Sequence, residues 1–171
     1  QYARPGDRLY RRHGGTFVLV LPGASTDLAL AIAEQVKRPI GGKPIELADL
    51  LKALRGCGKP TVARVNGHAL AGGFGLAAAC DVVVAVDEAT FGVPEIKVGL
   101  WPMMITAVLQ RVMPHKAALE LMMSGRRISA EEAHRLGAVS RVVAWSELDA
   151  AVDLVVSGLA AVSPAVLRLG R

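Results

Sequence analysis

From Pro60 to Gly99 the chain sets two β-branched runs around a cluster of glycines, and few architectures accommodate that order. Thr61 to Val65 reads Thr-Val-Ala-Arg-Val, a short strand by composition. Gly67, Gly72, Gly73 and Gly75 follow, with no Asp, Glu, Lys or Arg among them. Leu76 to Cys80 carries alanine at positions 77, 78 and 79, which favours a helix. Strand, glycine-rich turn and helix start therefore succeed one another. A helix begun in this way leaves its first backbone N–H groups unpaired at the positive end of its dipole, where an anion can be held. Val82 to Val86 is a second strand. It leads toward Glu95, the only carboxylate between Glu88 and Glu120.

These features suggest an oxyanion hole facing a carboxylate. Without a Cβ, Gly72 and Gly73 let a substrate approach the backbone closely. A carbonyl oxygen that gains negative charge during a reaction is stabilised by such N–H groups, and a carboxylate opposite can move the neighbouring proton. The same glycines also serve a plainer purpose, close packing of helix on strand. For Glu95 the plain reading is a solvated loop residue. Against it, Phe91, Val93, Pro94, Ile96 and Val98 are expected to surround it with hydrocarbon, the environment that tunes a carboxyl for proton transfer.

The 171 residues suffice for one domain with a real core, and the whole chain, 1–171, is expected to form one. At 52% hydrophobic and 20% charged residues it reads as globular. The apolar stretches are broken by Asp81, Asp87 and Lys97, so no transmembrane helix is expected. The N-terminal residues are polar and basic, unlike a signal peptide. Cys57 and Cys80 lack metal-ligand spacing and read as reduced, partly buried thiols of a cytoplasmic protein. No His/Cys/Asp cluster has ligand spacing, so no metal is expected. The glycines at 72, 73 and 75 do not make a dinucleotide fingerprint. The net charge of +5 owes much to Arg4, Arg8, Arg11 and Arg12. With few aromatic residues there is no platform for stacking bases, and no nucleic-acid partner is expected. Basic groups also attract the phosphates of a nucleotide-like cofactor such as coenzyme A.

Residues 1–15 read as a loosely ordered terminus. Thr16 to Leu21 is a continuous apolar run, a strand buried on both faces. Ser25, Thr26 or Asp27 would cap a helix over Leu28 to Lys37, followed by a Pro/Gly loop over 39–44. Helices are expected over Ile45 to Arg55, Pro114 to Ser124 and Leu148 to about Ala161, the last capped by Ser146. Ser129-Ala130-Glu131-Glu132 is a capping box that opens a helix to Arg135. Val139 to Val143 is a last strand, and a further helix begins near Ser163. His134, Glu131 and Glu132 receive no chemical role, and His68, close to the glycine turn, reads as a packed or solvated histidine with a shared role in the site as the alternative.

The segment from Lys59 to Val143 resembles the enoyl-CoA hydratase/isomerase (crotonase) superfamily. The resemblance rests on Lys-Pro-Thr-Val-Ala-Arg-Val-Asn-Gly (59–67), Ala-Leu-Ala-Gly-Gly (69–73), Leu-Ala-Ala-Ala-Cys-Asp (76–81), Phe-Gly-Val-Pro-Glu (91–95) and the run from Ser124 to Val139. It implies an α/β fold, a ClpP/crotonase superhelix of repeated ββα units. It implies an acyl-CoA substrate, with coenzyme A entering only as part of that substrate and no other cofactor. Gly72 matches the oxyanion glycine and Glu95 the second of the two family glutamates, while Leu70 and Gly73 fall in the substrate-binding turn. The loop after the first strand is abbreviated relative to the family, and Ser25 or Thr26 would offer the other oxyanion N–H. Trp101 and Met103, in the apolar run from Gly99 to Gln110, are candidates for the acyl pocket, with ordinary core packing as the alternative. A homotrimer or hexamer is implied, as is a chain shortened at both ends, without the family's last helices.

One departure bears on mechanism. Many hydratases carry a glutamate three residues after the oxyanion glycine, where this chain has Gly75. Adding water is easiest when two carboxylates share its protons, whereas one carboxylate suffices to move a proton between two carbons of an acyl chain. A non-catalytic acyl-CoA-binding or assembly-only relative is the main alternative. A serine peptidase of the related fold ranks low, because no serine lies in the central glycine turn.

Overall fold

The computed structural model describes the backbone of residues 17–20 and residues 47–170. The elements run β1 (Phe17–Val20), α1 (Leu47–Gly56), β2 (Val62–Val65), β3 (Ala69–Leu70), α2 (Gly72–Ala79), β4 (Val82–Val86) and β5 (Thr90–Gly92). After a 3₁₀ turn (Pro94–Val98) come α3 (Met103–Val112), α4 (His115–Ser124), β6 (Arg127–Ser129), α5 (Ala130–Arg135) and β7 (Arg141–Val143). A second 3₁₀ turn (Trp145–Glu147), α6 (Leu148–Ala160) and α7 (Pro164–Gly170) complete the order.

The strands form two sheets. The four-stranded one has the order β1-β2-β4-β7, with β1 antiparallel to β2 and the remaining pairs parallel. The three-stranded one has the order β3-β5-β6, with β3 and β5 parallel and β6 antiparallel. β2 and β4 of the larger sheet thus each pass into a two- or three-residue strand of the other sheet and then into a helix. β2-β3-α2 and β4-β5-α3 are two successive ββα units, the repeat that the resemblance implies.

Register in the larger sheet is set by a clamp at the start of β2 and β4. Thr61, fully buried, donates its N–H (2.6 Å) and its hydroxyl (2.8 Å) to Asp81 Oδ2. The Asp81 N–H returns to Thr61 Oγ1 at 3.0 Å, and Val62 pairs with Val82 directly beyond. β2 is fastened to α6 by Arg64, whose Nε lies 2.7 Å from Asp149 Oδ1 in the first turn of that helix, where a carboxylate complements the dipole.

The core gathers Val62, Val84 and Val86 of the large sheet, Phe74 of α2, Phe91 of β5, Leu109 of α3, Leu121 and Met122 of α4, and Ile128 and Leu148, all fully buried. The rings of Phe74 and Phe91 lie 5.3 Å apart at 57°, tying α2 to β5 with a tilted aromatic contact. Among the described residues no single helix is long and apolar enough to cross a membrane.

Several expectations shift. α2 starts at Gly72, so the glycine cluster is itself the first helical turn and not a loop ending at Leu76. The strand expected from Val139 begins at Arg141, because Ala133 O accepts the N–H groups of Ala138 and Val139 and holds them in the end of α5. Ser146 does not cap α6. It lies inside the second 3₁₀ turn, whose amides bond Ala144 O and Trp145 O, and Glu147 precedes α6 without a side-chain cap. Ser129 does cap α5, its hydroxyl accepting the Glu132 N–H at 3.1 Å. The helix expected over 28–37 and the loop over 39–44 lie outside the described residues. Cys57 and Cys80 are half-buried.

Candidate active site

β3 ends at Leu70, beside Gly92 at the end of β5, and Ala71 extends the pairing by donating its N–H to Gly92 O at 2.8 Å. Ala71 then takes φ 52° and ψ −131°, the only non-glycine residue with positive φ among those described. That region is costly for a side-chain-bearing residue. The conformation has a directional effect. Ala71 O points into the helix and accepts from Phe74 N–H (3.0 Å) and Gly75 N–H (3.2 Å). In a trans peptide the N–H opposes the carbonyl, so the Gly72 N–H must point away from α2. Neither Gly72 N–H nor Gly73 N–H has a partner among the described residues, as expected of the first two helical amides.

Gly72 is also a contact point. A Cβ there would stand 3.1 Å from Leu47 Cδ2, so α1 lies close against the helix start and a methyl group would press on the leucine. The surface beside these amides is bare backbone.

Glu95 is carried by the strand next to β3. Three residues after Gly92 it sits in the first 3₁₀ turn, which Pro94 opens and Gly99 closes with φ 77°. Gly99 N–H bonds Ile96 O at 3.1 Å and Leu100 N–H bonds Glu95 O at 3.0 Å, fixing the backbone of the glutamate. The end of α4 presses on this turn at Gly125, whose φ is 60° and where a Cβ would fall 2.7 Å from Ile96 Cγ2. Phe91 and Val93 are fully buried, Glu95 is half-buried, and Val98, expected beside Glu95, is 75% exposed because it faces out at the end of the turn. Glu95 Oε2 is buried and has no hydrogen-bond partner among the described residues. A buried acceptor left in this state is costly, and a proton-bearing ligand would relieve it. Chain reach puts Glu95 Cα within about 11 Å of Gly92, and Gly92 is bonded to the residue before Gly72. The unpaired N–H groups and the unpaired carboxylate oxygen are thus borne at the same end of two neighbouring parallel strands.

The other expected site residues are placed as follows. Leu70 is half-buried at the end of β3, and Gly73 is the second residue of α2. Trp101 and Met103 are 39% and 74% exposed at the start of α3, so neither belongs to the core. Ser25 and Thr26 lie outside the described residues. His68 Nδ1 is 2.8 Å from Thr90 Oγ1, an exposed pair joining the approaches to β3 and β5. Sequence reasoning missed Ala71, whose conformation no composition rule signals, and Ile105, which packs on Gly75. Among the described residues no three His, Cys, Asp or Glu side chains group as a metal site.

The enoyl-CoA hydratase/isomerase family model matches residues 26–169. Over 124 residues the chain is 37% identical to the mitochondrial enoyl-CoA hydratase domain-containing protein 3 of Rattus norvegicus, covering 72% of this chain and 41% of that one. Over 98 residues it is 47% identical to the carnitinyl-CoA dehydratase of Salmonella paratyphi B, covering 56% of this chain and 38% of that one. Among solved structures, an enoyl-CoA hydratase from Mycobacterium smegmatis superposes with a TM-score of 0.71 at 38% identity, covering 72% of this chain and 48% of that one. The chain spans less than half the length of each of these relatives.

Proposed function

This chain belongs to the enoyl-CoA hydratase/isomerase family, and from that premise we propose that it acts on an acyl-CoA thioester by stabilising its enolate. The thioester oxygen would accept the outward Gly72 N–H, supported by Gly73 and the positive end of α2. Glu95 would be the acid/base. In the isomerisation of a 3-enoyl thioester its carboxylate takes the proton from C2. The C–H electron pair moves toward the carbonyl, whose oxygen takes up the charge at Gly72. The charge then returns from the oxygen to re-form the carbonyl, the C1–C2 pair becomes the C2–C3 double bond, and the former C3–C4 π pair takes the proton that Glu95 returns to C4, so atoms and electrons are conserved. One carboxylate serves both transfers, and for that reason this reading favours isomerisation over hydration. The exposed Trp101 and Met103 would offer an apolar surface to the acyl chain.

The observation that carries the reading is the buried Glu95 Oε2, without a partner among the described residues, in the turn after the strand that pairs with the approach to the unpaired Gly72 N–H. The test is turnover of short and medium 2-enoyl-CoA and 3-enoyl-CoA by the wild type and by Glu95→Gln. Loss of about 10²–10⁴-fold in the variant is expected, the scale of a general acid/base. Activity untouched by the substitution would refute the role of Glu95. Acyl-CoA binding without turnover by the wild type would leave a binding relative in its place.

A further inference from the structure

Gly75 lies one turn along α2 from Gly72 and on the same face of the helix. It is buried, and a Cβ at this position would stand 3.1 Å from Ile105 Cγ1 and 3.2 Å from Ile105 Cγ2. Ile105 itself is 3% exposed in the first turn of α3. A β-branched side chain on a helix is held to one preferred rotamer, so Ile105 cannot readily swing aside. The three atoms nearest that Cβ are all hydrocarbon carbons of Ile105. A buried water needs two to four polar partners, and none of these three atoms is polar. Adding water to an enoyl thioester forms a bond from the water oxygen to C3, gives a hydrogen to C2 and requires that water to be held and deprotonated. Moving a proton from C2 to C4 requires neither.

We propose that Ile105, seated against Gly75, is a specificity-determining positioning residue: it keeps the space beside the oxyanion helix dry and free of a second polar group, and so confines the site to proton relocation. The inference rests on the acyl-CoA reading above and adds to it the identity of the residue that selects the reaction. The contact is tight, so a side chain at position 75 gains room when Ile105 loses its branches. Trimming Ile105 to alanine leaves its Cβ, which lies at an ordinary 3.6 Å.

The test compares the wild type, Gly75→Glu, Ile105→Ala and the double variant, in thermal unfolding and in turnover of matched 2-enoyl-CoA and 3-enoyl-CoA. Gly75→Glu alone should lower the midpoint by roughly 2–12 °C, the scale of an overpacked core in a chain of this size. Adding Ile105→Ala should recover part of that loss. The ratio of hydration to isomerisation should rise at least tenfold in the double variant, a change that a purely structural role would not produce. Either a double variant that recovers stability while keeping the wild-type ratio, or a Gly75→Glu protein with an unchanged midpoint, would overturn the inference. Wild-type inactivity on both substrates would instead remove the acyl-CoA reading, and the inference with it.

Discussion

Ala71 offers the sharpest test of the link between backbone strain and the candidate oxyanion site. At φ 52° and ψ −131° it occupies a region that costs a non-glycine residue about 1–3 kcal/mol. Ala71→Gly removes that strain. It also adds about 0.5–1 kcal/mol of unfolded-state entropy that folding must overcome, and the lost methyl is only half-buried. The net expectation is a gain of about 1 kcal/mol, or about 2–4 °C in the midpoint for a chain of this size. Urea unfolding measures it as a higher midpoint with an unchanged slope. Ala71→Val should shift the opposite way, because a β-branched residue tolerates positive φ least. The activity should move against the stability. A glycine at 71 holds the next peptide less firmly, so the Gly72 N–H is aimed less well. Turnover should fall, though by less than the roughly 100-fold that loss of a whole oxyanion donor brings. Destabilisation of Ala71→Gly by about 0.5–1 kcal/mol, as at an unstrained position, would refute the reasoning.

Gly125→Ala combines a left-handed backbone with a Cβ 2.7 Å from Ile96 Cγ2, so a loss of about 2–4 kcal/mol is expected, together with reduced turnover because the turn carrying Glu95 must shift; an unchanged urea midpoint would contradict the contact. Leu109→Ala removes a fully buried side chain of α3 and should cost about 2–5 kcal/mol in the same assay. Arg126 hydrogen-bonds Glu120 and Glu132, and these bonds hold both carboxyls below the ordinary glutamate value. A lowered folded value stabilises above the unfolded carboxylate range and is lost as pH falls through the folded values. Arg126→Met should therefore lower stability near neutrality and converge with the wild type in strong acid. With side chains 28–50% exposed, solvent screening holds the effect to about 1 kcal/mol; an equal difference at both extremes would remove the ionic explanation.

The strands and helices that position the site were legible where the pattern is local. Val82–Val86 is the strand read from its valines, β2 lies within Thr61 to Val65, and the capping box over 129–132 opens α5 as its spacing requires. The second sheet was not legible residue by residue, since β3, β5 and β6 have only two or three residues, too few for an alternation to register. The Thr61–Asp81 clamp joins residues 20 apart, and nothing in either side chain names the other. At the site, glycine marked closeness without saying to what. Only the fold distinguishes Gly72, which faces Leu47, from Gly75, which faces Ile105, and from Gly125, which faces Ile96.

That distinction explains how so small a sheet can place two functional groups. β3 and β5 share two residue pairs, extended by the Ala71–Gly92 bond, and pairing this short fixes little orientation by itself. Each functional group is therefore braced from outside its strand. The helix start at Gly72 is set against α1 through Leu47, and the Glu95 turn is set against the end of α4 through Gly125. The Phe74–Phe91 contact then ties the first arm to the second from below. Both external braces favour a position without a side chain: a Cβ at Gly125 would meet Ile96 Cγ2 at 2.7 Å, and one at Gly72 would press on Leu47 Cδ2 at 3.1 Å. The glycines thus hold the carboxylate and the backbone donors together by letting three helices approach, and the bare backbone left at Gly72 is the same surface that a thioester oxygen would need.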